Sequence, residues 1–309
     1  MSHSRAVFLM VVITLLWSMA GVVTRHLDSA PSFEVNFWRS AFTALTIAIT
    51  LTWMRGPNLW RNLLRSSKEI WISGICWSIM FTSFMVAITV TTVANVLIIM
   101  ALGPLMTALF ARFFLGHRLP VVTWLAIGVA ALGIIWMFLQ ERGAAFTVVG
   151  SMVSFTIPIA AAANFTLLQH VGQGKMKQKT SSTKEPTRDM LQSVLIGAIL
   201  STLATLPLSL PFQASGHDLF LLWFLGVFQL ALPCLLLVHL SKVLPAPEIS
   251  LLTQLEVIFG VTWAWLWAGE HLSANVLGGG SLVLAALMVN ELTRILRQRK
   301  AQRACLGYV

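Results

Sequence analysis

The chain of 309 residues is 57 % hydrophobic and only 10 % charged, with a mean hydropathy of +0.81 and a net charge of +10. Soluble domains carry about 25 % charged residues, so a soluble globule is excluded, and the long apolar runs also exclude a transmembrane β-barrel, whose strands alternate. The excess of basic residues is compatible with an acidic partner, but in a membrane chain it is better explained by basic cytoplasmic loops.

Ten windows are long and apolar enough to cross a bilayer, which takes about 20 residues in a helix. We therefore expect an all-α integral membrane protein with ten transmembrane helices. In chain order the windows are 6–24, 33–53, 70–89, 93–114, 121–140, 150–170, 189–210, 219–240, 246–267 and 274–293.

The distribution of basic residues supports this count and sets an orientation. With a cytoplasmic amino terminus, the segments predicted to be inside hold 18 Lys and Arg, and the outside segments hold only Arg25 and Arg142. Cytoplasmic loops carry such an excess. We expect both termini to be cytoplasmic, in the inner (plasma) membrane of the cell.

Two features organise the chain. A basic, polar stretch over 171–188 is typical of a flexible cytoplasmic loop. A boundary near 145 divides the chain into halves 1–145 and 146–309. The second half contains this loop and ends in a basic tail. A second basic stretch, Arg55 to Lys68, is either a short interfacial helix on anionic lipid or a solvated loop.

The two halves are related by an internal repeat. At a constant offset of 153, Leu102 falls on Leu255, Gly116 on Gly269 and Leu119 on Leu272, within a shared helix–Gly-x-x-Leu–helix layout. Five helices separate the copies, so they run in opposite directions. Inverted five-helix repeats are an architecture of secondary transporters.

Short motifs give the chain a family resemblance. They are Leu16-Trp17-Ser18, Phe37-Trp38-Arg39, Pro104 with Gly116 and Leu119, and Gly269-Glu270-His271-Leu272. In these the chain resembles the drug/metabolite transporter superfamily, specifically its EamA-type members, although His117 and Val257 depart from the pattern. The resemblance implies ten helices in two inverted halves, export or exchange of metabolites, and a cavity surrounded by helices one, three, four, six, eight and nine.

Glu256 is the leading candidate for a transport role, because ionisable groups inside a bilayer are costly and usually functional. It is expected near the middle of span nine, where it is a candidate to bind a proton or a cationic group. Thr253, Gly260 and Trp263 follow its helical face, and an acid beside tryptophans suits a cation or an aromatic amine. The alternative is a structural glutamate held within the bundle.

Arg39 lies about two turns into span two, on a polar stripe with Asn36, Ser40, Thr43 and Thr50. It could bind a carboxylate through both guanidinium nitrogens, but a structural or gating role is favoured, because the resemblance places span two outside the cavity.

Other side chains are candidates for substrate contact or helix kinks. Asn95 and Asn164 are expected to bind substrate or to join helices, and Trp17 and Trp77 to line the cavity or to pack. Proline breaks a helix hydrogen bond and allows a kink. The structural or gating set is Arg39, Pro104, Pro158, Pro233 and Gly260.

These features predict a secondary active transporter of a small organic metabolite, such as an amino acid, amine or drug-like molecule. We expect an exporter or exchanger, with protons as possible co-substrates, working as a monomer or homodimer. No cofactor, metal or nucleic acid is expected, since no Walker loop, HxxxH or CxxC motif is present. A passive channel or facilitator is the main alternative, and an intramembrane enzyme a weaker one, for which no nucleophile–base spacing is found.

Overall fold

The computed structural model describes residues 3–56, 58–116, 119–140, 148–177, 186–240, 243–244, 249, 252–267, 269 and 274–306. All regular secondary structure in these residues is helical. The first half contains α1 (His3–Ser18), α2 (Ala20–Arg25), α3 (Ser32–Arg55), α4 (Asn58–Leu64), α5 (Lys68–Val90), α6 (Val93–Met100), α7 (Gly103–Leu115) and α8 (Val121–Gln140). The second contains α9 (Val148–Lys177), α10 (Pro186–Ser209), α11 (Gly216–Phe224), a π-helical segment (Leu225–Ala231), α12 (Leu232–Leu240), α13 (Leu255–Trp267) and α14 (Ala274–Leu306).

The helices are long and apolar enough to identify a multi-pass membrane protein. Within the described residues, seven helical stretches meet the length and hydropathy needed to span a bilayer, and two shorter apolar helices lie at Val121–Trp136 and Leu255–Trp267. Helix α3 has 24 residues but is not among the seven, because Glu34, Arg39 and other polar side chains lower its hydropathy. Those side chains point into the bundle and are buried.

The two halves of the chain pack against each other through matching pairs of helices. Helix α3 packs on α10, and α8 packs on α14. Helix α5 packs on α9 and α10, while the π-helical segment and α12 pack on α1, and the π-helical segment also packs on α3. These contacts come in pairs related by exchanging the two halves. The packing of α5 on α9 corresponds to that of α12 on α1, and the packing of α5 on α10 to that of the π-helical segment on α3, as expected of repeated units.

Helix ends follow the predicted windows at most positions, and differ at the basic loop expected over 171–188. The tight turn expected at Thr89–Thr92 is present, with Thr92 capping α6 by accepting a hydrogen bond from the backbone N–H of Asn95 at 3.3 Å. The expected loop 171–188 is shorter, because α9 continues to Lys177 and α10 begins at Pro186. At 1.5 Å per residue, the 30 residues of α9 reach about 45 Å, which exceeds the hydrocarbon layer of about 30 Å.

The internal repeat is matched in backbone conformation. Helices α7 and α13 each contain 13 residues. Gly116 has φ 68° at the end of α7, and Gly269 has φ 66° two residues after α13. These glycines are 153 positions apart, the offset read from the sequence, so both copies have a glycine at positive φ at the equivalent position.

Substituting either glycine by alanine should cost about 1 kcal/mol, because a Cβ is strained at positive φ although the space around it is open at both positions. We expect Gly116→Ala and Gly269→Ala to lower the melting temperature by a similar small amount. Gly103→Ala is the control, since it lies in α7 with open space around it and no positive φ. Unequal effects at the two glycines would contradict their equivalence.

Candidate polar junction at the interrupted helices

Three of the predicted spans are interrupted where they meet. The first breaks at Met19, between α1 and α2, and the fourth breaks at Ala101 and Leu102, between α6 and α7. Helix α13 begins only at Leu255, after a turn at Gln254. Helices α1, α2 and α6 all pack on α13. The breaks are slight, because Met19, Ala101 and Leu102 keep helical dihedral angles and backbone hydrogen bonds continue across them. Irregular helices of this kind occur at the binding sites of transporters.

A buried chain of hydrogen bonds crosses this region. Nε and Nη2 of Arg39, on α3, donate to Oε1 of Gln229 at 3.2 and 2.9 Å. Nε2 of Gln229 donates to the carbonyl of Trp17 at 3.1 Å. Gln229 lies in the π-helical segment, and π-helical turns frequently occur at functional sites. These bonds join α3, the π-helical segment and the end of α1.

The guanidinium group of Arg39 can donate a further hydrogen bond. The side chain is 2 % exposed, and its Nη1 has no hydrogen-bond partner among the described residues. Its Cζ lies 5.8 Å from the ring centroid of Phe84. The charge also acts on Glu256 and Cys234. A buried donor without a partner is costly, so this nitrogen can bind a further acceptor.

Glu256 lies in the first turn of α13 rather than in the middle of a long helix, and it is partly exposed. A carboxylate is favoured in the first turn of a helix, because the free backbone N–H groups there carry partial positive charge. Of the residues expected on its face, Thr253 precedes the helix, whereas Gly260, Trp263 and Trp267 follow Glu256 within α13.

Trp263 is fixed against the break in the first span. Its Nε1 donates to Oγ of Ser18 at 3.0 Å, and its ring stacks on Trp267 with centroids 4.7 Å apart. Gly260 allows α13 to approach α6 closely, since a Cβ there would collide with Leu97. Trp17 packs with a cluster that includes Met10 and Leu240. The structure therefore joins Trp263 to Ser18 at the end of α1, and it places Glu256 two turns earlier on the same helix as Trp263.

Other candidates from the sequence occupy helix interfaces. Asn164 accepts a hydrogen bond from Ser73 at 2.6 Å, between α9 and α5. Trp77 packs beside Phe81 in the cluster between α5 and α10. Asn95 donates to Thr91 at 3.4 Å, and its Oδ1 has no partner among the described residues.

The prolines do not share one role. Pro104 starts α7 immediately after the break in the fourth span. Pro233 follows the π-helical segment at the start of α12, whereas α9 continues through Pro158. Glu270 and His117, which belong to the repeated motif, lie outside the described residues.

The polar stripe on α3 divides between two neighbours. Asn36 donates to Ser201 at 2.9 Å, and Ser40 and Ser201 are 3.1 Å apart, so these residues face α10. Thr43 donates to the carbonyl of Gly226, in the π-helical segment. Thr50 instead donates to the carbonyl of Thr46 in its own helix.

Two buried carboxylates that the sequence did not single out close one face of the bundle. Glu34 accepts hydrogen bonds from the backbone N–H groups of Gln213 and Ala214 at 2.8 and 3.0 Å. Asp218 accepts from the backbone N–H groups of Asp28 and Ser29 at 2.7 and 3.1 Å. Each half thus holds a loop of the other. Ser215 and Asp218 form a capping box, whose spacing is readable in sequence.

Comparison with known proteins identifies the class. The family model for the EamA-like transporter family matches residues 4–139 and 178–291, so the chain belongs to this family of membrane transporters, which are not enzymes.

Individual relatives are more distant. The pseudopaline exporter CntI of Pseudomonas aeruginosa strain UCBPP-PA14 is 24 % identical over 279 residues, covering 89 % of this chain and 92 % of the relative. An uncharacterized transporter of the same species, PA0485, is 22 % identical over 122 residues, or 38 % of this chain and 41 % of its own. A solved crystal structure superposes with a TM-score of 0.59 at 18 % identity, covering 96 % and 99 % of the two chains, which supports the fold alone.

Proposed function

We propose that the protein is a secondary active transporter that exports or exchanges a small organic metabolite by alternating access. The observation that carries this proposal is the buried hydrogen-bonded chain of Arg39, Gln229 and the Trp17 carbonyl, in a member of a transporter family. The charge of Arg39 also acts on Glu256. Transporter sites lie near the bilayer midplane between repeats and at broken helices.

The architecture that we propose is ten membrane-spanning helices in two inverted five-helix repeats, residues 1–145 and 146–309. Two observations support it. Gly116 and Gly269 have positive φ and are separated by the offset of the sequence repeat, and the two halves pack through matching pairs of helices. Both termini are assigned to the cytoplasm and the protein to the inner membrane. The excess of basic residues in alternate loops supports this orientation.

Within this site, Glu256 is the proposed group for proton coupling or for binding a cationic group. Trp263, two turns along α13, and Trp17 are the proposed aromatic contacts of the substrate, and Arg39 offers Nη1 to an acceptor. Asn95, Asn164, Thr253 and Trp77 remain possible substrate contacts by the sequence argument. The contacts of Asn164 and Trp77 favour a structural role for those two residues.

A ligand screen followed by transport tests the function. The purified protein is screened by thermal shift against amino acids, polyamines, nucleosides, cationic drugs and pseudopaline, because a ligand in excess over its dissociation constant stabilises the bound protein. Stabilising ligands are then tested in proteoliposomes. Saturable counterflow supports a carrier, whereas uptake that never saturates and shows no counterflow supports the passive channel instead.

Substituting Glu256 by glutamine should reduce the accumulation driven by a pH gradient by at least about tenfold, while counterflow continues. The carboxyl group is the proposed proton carrier, and the amide keeps its size but does not titrate. Asp28→Asn is the control, because this acid is exposed. Unchanged pH dependence in Glu256→Gln would show that this residue does not couple protons.

A further inference from the structure

Helix α4 is anchored to the bundle by a buried apolar side chain, Leu63. Leu63 is 5 % exposed and packs in a cluster with Ile47, Leu51 and Leu191, from α3 and α10. Leu64, the next residue, is 76 % exposed. Because Leu63 is fixed inward, Trp60, Arg61 and Leu64 are presented outward in a defined orientation.

An apolar groove of about 450 Å³ lies between α4 and the outer face of α3. Its wall on α3 consists of Leu45, Ala48, Ile49, Thr52 and Trp53, which recur at helical spacing on one face, and Trp60 of α4 closes one end. Trp53 is 88 % exposed. In a protein that crosses a membrane, such a face lies against lipid, so an acyl chain fits the groove.

Basic residues flank this groove on α4. Arg61 lies on the helix and Arg65 directly after it, four residues apart and therefore on the same side. Both are exposed, and their side chains make no hydrogen bond or ion pair with any residue in the described part of the chain. Trp60 and Leu64 form the adjacent side. The successive sides of α4 thus face the protein core, the acyl-chain groove and the level of the lipid headgroups, as in an interfacial helix.

We propose that α4 and the outer face of α3 bind one anionic phospholipid, with an acyl chain in the groove between Trp53 and Trp60 and the phosphate against Arg61 and Arg65. Guanidinium groups bind phosphate oxygens through paired hydrogen bonds. Trp53 lies two residues before the end of α3, and tryptophan is enriched at the ends of membrane helices, where hydrocarbon meets headgroups. This site is separate from the polar junction and does not depend on the transported substrate.

The two parts of the site predict selectivity for a complete anionic lipid. A basic residue near a membrane surface strengthens binding to anionic lipid by roughly fivefold, so two arginines should give at least about a tenfold preference over a zwitterionic lipid with the same chains. Free phosphate lacks the acyl chain and should bind much more weakly.

Competition between lipids on the full-length protein tests this proposal. The delipidated protein in a neutral detergent is given equal amounts of phosphatidylglycerol and phosphatidylcholine with identical chains, and bound lipid is counted by native mass spectrometry. We expect the first bound lipid to be phosphatidylglycerol by about tenfold, and the double variant Arg61→Gln/Arg65→Gln to reduce this ratio to about twofold or less. Trp60→Ala should weaken the binding of both lipids.

The matched control is Arg112→Gln/Arg297→Gln, which removes two exposed arginines near the ends of other helices and should keep the ratio. The proposal is overturned if the unsubstituted protein shows no preference, or if the Arg61/Arg65 variant retains it. It is also overturned if the control loses the preference equally, since total charge would then be the cause, or if inorganic phosphate alone raises the melting temperature as much as phosphatidylglycerol does. All of these variants alter exposed side chains, and Arg65→Gln alone repeats the test with one substitution.

Discussion

Replacing Gly226 by alanine is expected to destabilise the protein by about 2 kcal/mol and to lower its melting temperature by about 4 °C. A Cβ at this position would lie 2.6 Å from Cβ of Phe42, 2.8 Å from the carbonyl oxygen of Arg39 and 3.1 Å from the backbone nitrogen of Thr43. Two of these atoms are backbone, so they cannot move aside without shifting α3. Within a helix, alanine is normally more stabilising than glycine by about 0.5–1 kcal/mol, but the free-energy cost of this collision is larger.

The same substitution should also disturb transport, because Gly226 precedes Gln229 by one turn in the π-helical segment. Gly278→Ala is the matched control, since it lies within α14 with no atom near its would-be Cβ. We expect Gly278→Ala to be neutral or slightly stabilising by thermal unfolding in detergent. Equal melting temperatures for the two variants would contradict the close approach of α3 to the π-helical segment.

Replacing Asp218 by alanine should destabilise the protein by about 2 kcal/mol and loosen the face that Asp218 closes. The carboxylate accepts four hydrogen bonds, from the backbone of Asp28, Ser29 and Ser215 and from the Ser29 hydroxyl. Hydrogen bonds to a charged group are stronger than neutral ones. Removing the acceptor leaves these donors to water or unpaired.

Thermal unfolding and amide hydrogen exchange of residues 26–31 measure this effect. Exchange in that loop should be faster in Asp218→Ala. Asp28→Ala serves as the control because the side chain of Asp28 is exposed, and only its backbone N–H takes part in the network. A loop that exchanges at the same rate in both variants would mean that Asp218 does not hold it.

The membrane class was predictable from the sequence, because crossing hydrocarbon needs about 20 apolar residues and this requirement is visible in the composition. The family was predictable from the resemblance of short motifs such as Gly269-Glu270-His271-Leu272. Helix α3 was found although it is the most polar of the predicted spans, since its polar residues lie on faces buried in the bundle. The two glycines of the predicted repeat, which end α7 and follow α13, both have positive φ, a conformation that favours glycine.

The partners within the site were not predictable. Arg39 and Gln229 are 190 residues apart, and nothing in either segment indicates the other. Hydropathy also gives no signal for a break inside a continuous apolar run, which is why Glu256 was expected in mid-helix and lies in a first turn instead. Asp218 had a local signal in the Ser215 capping pattern, whereas Glu34 had none for the amides of Gln213 and Ala214.

The exchange of carboxylates between the halves also constrains how the chain can be assembled. Glu34 lies 179 residues before its donor Gln213, and Asp218 lies 190 residues after Asp28. Amino-terminal segments are made and fold first during synthesis. Glu34 is therefore synthesised before its amide donors, and its carboxylate must stay hydrated until α10 and the loop after it have been inserted. Sealing this face is consequently a late event in biogenesis, and neither half completes it alone.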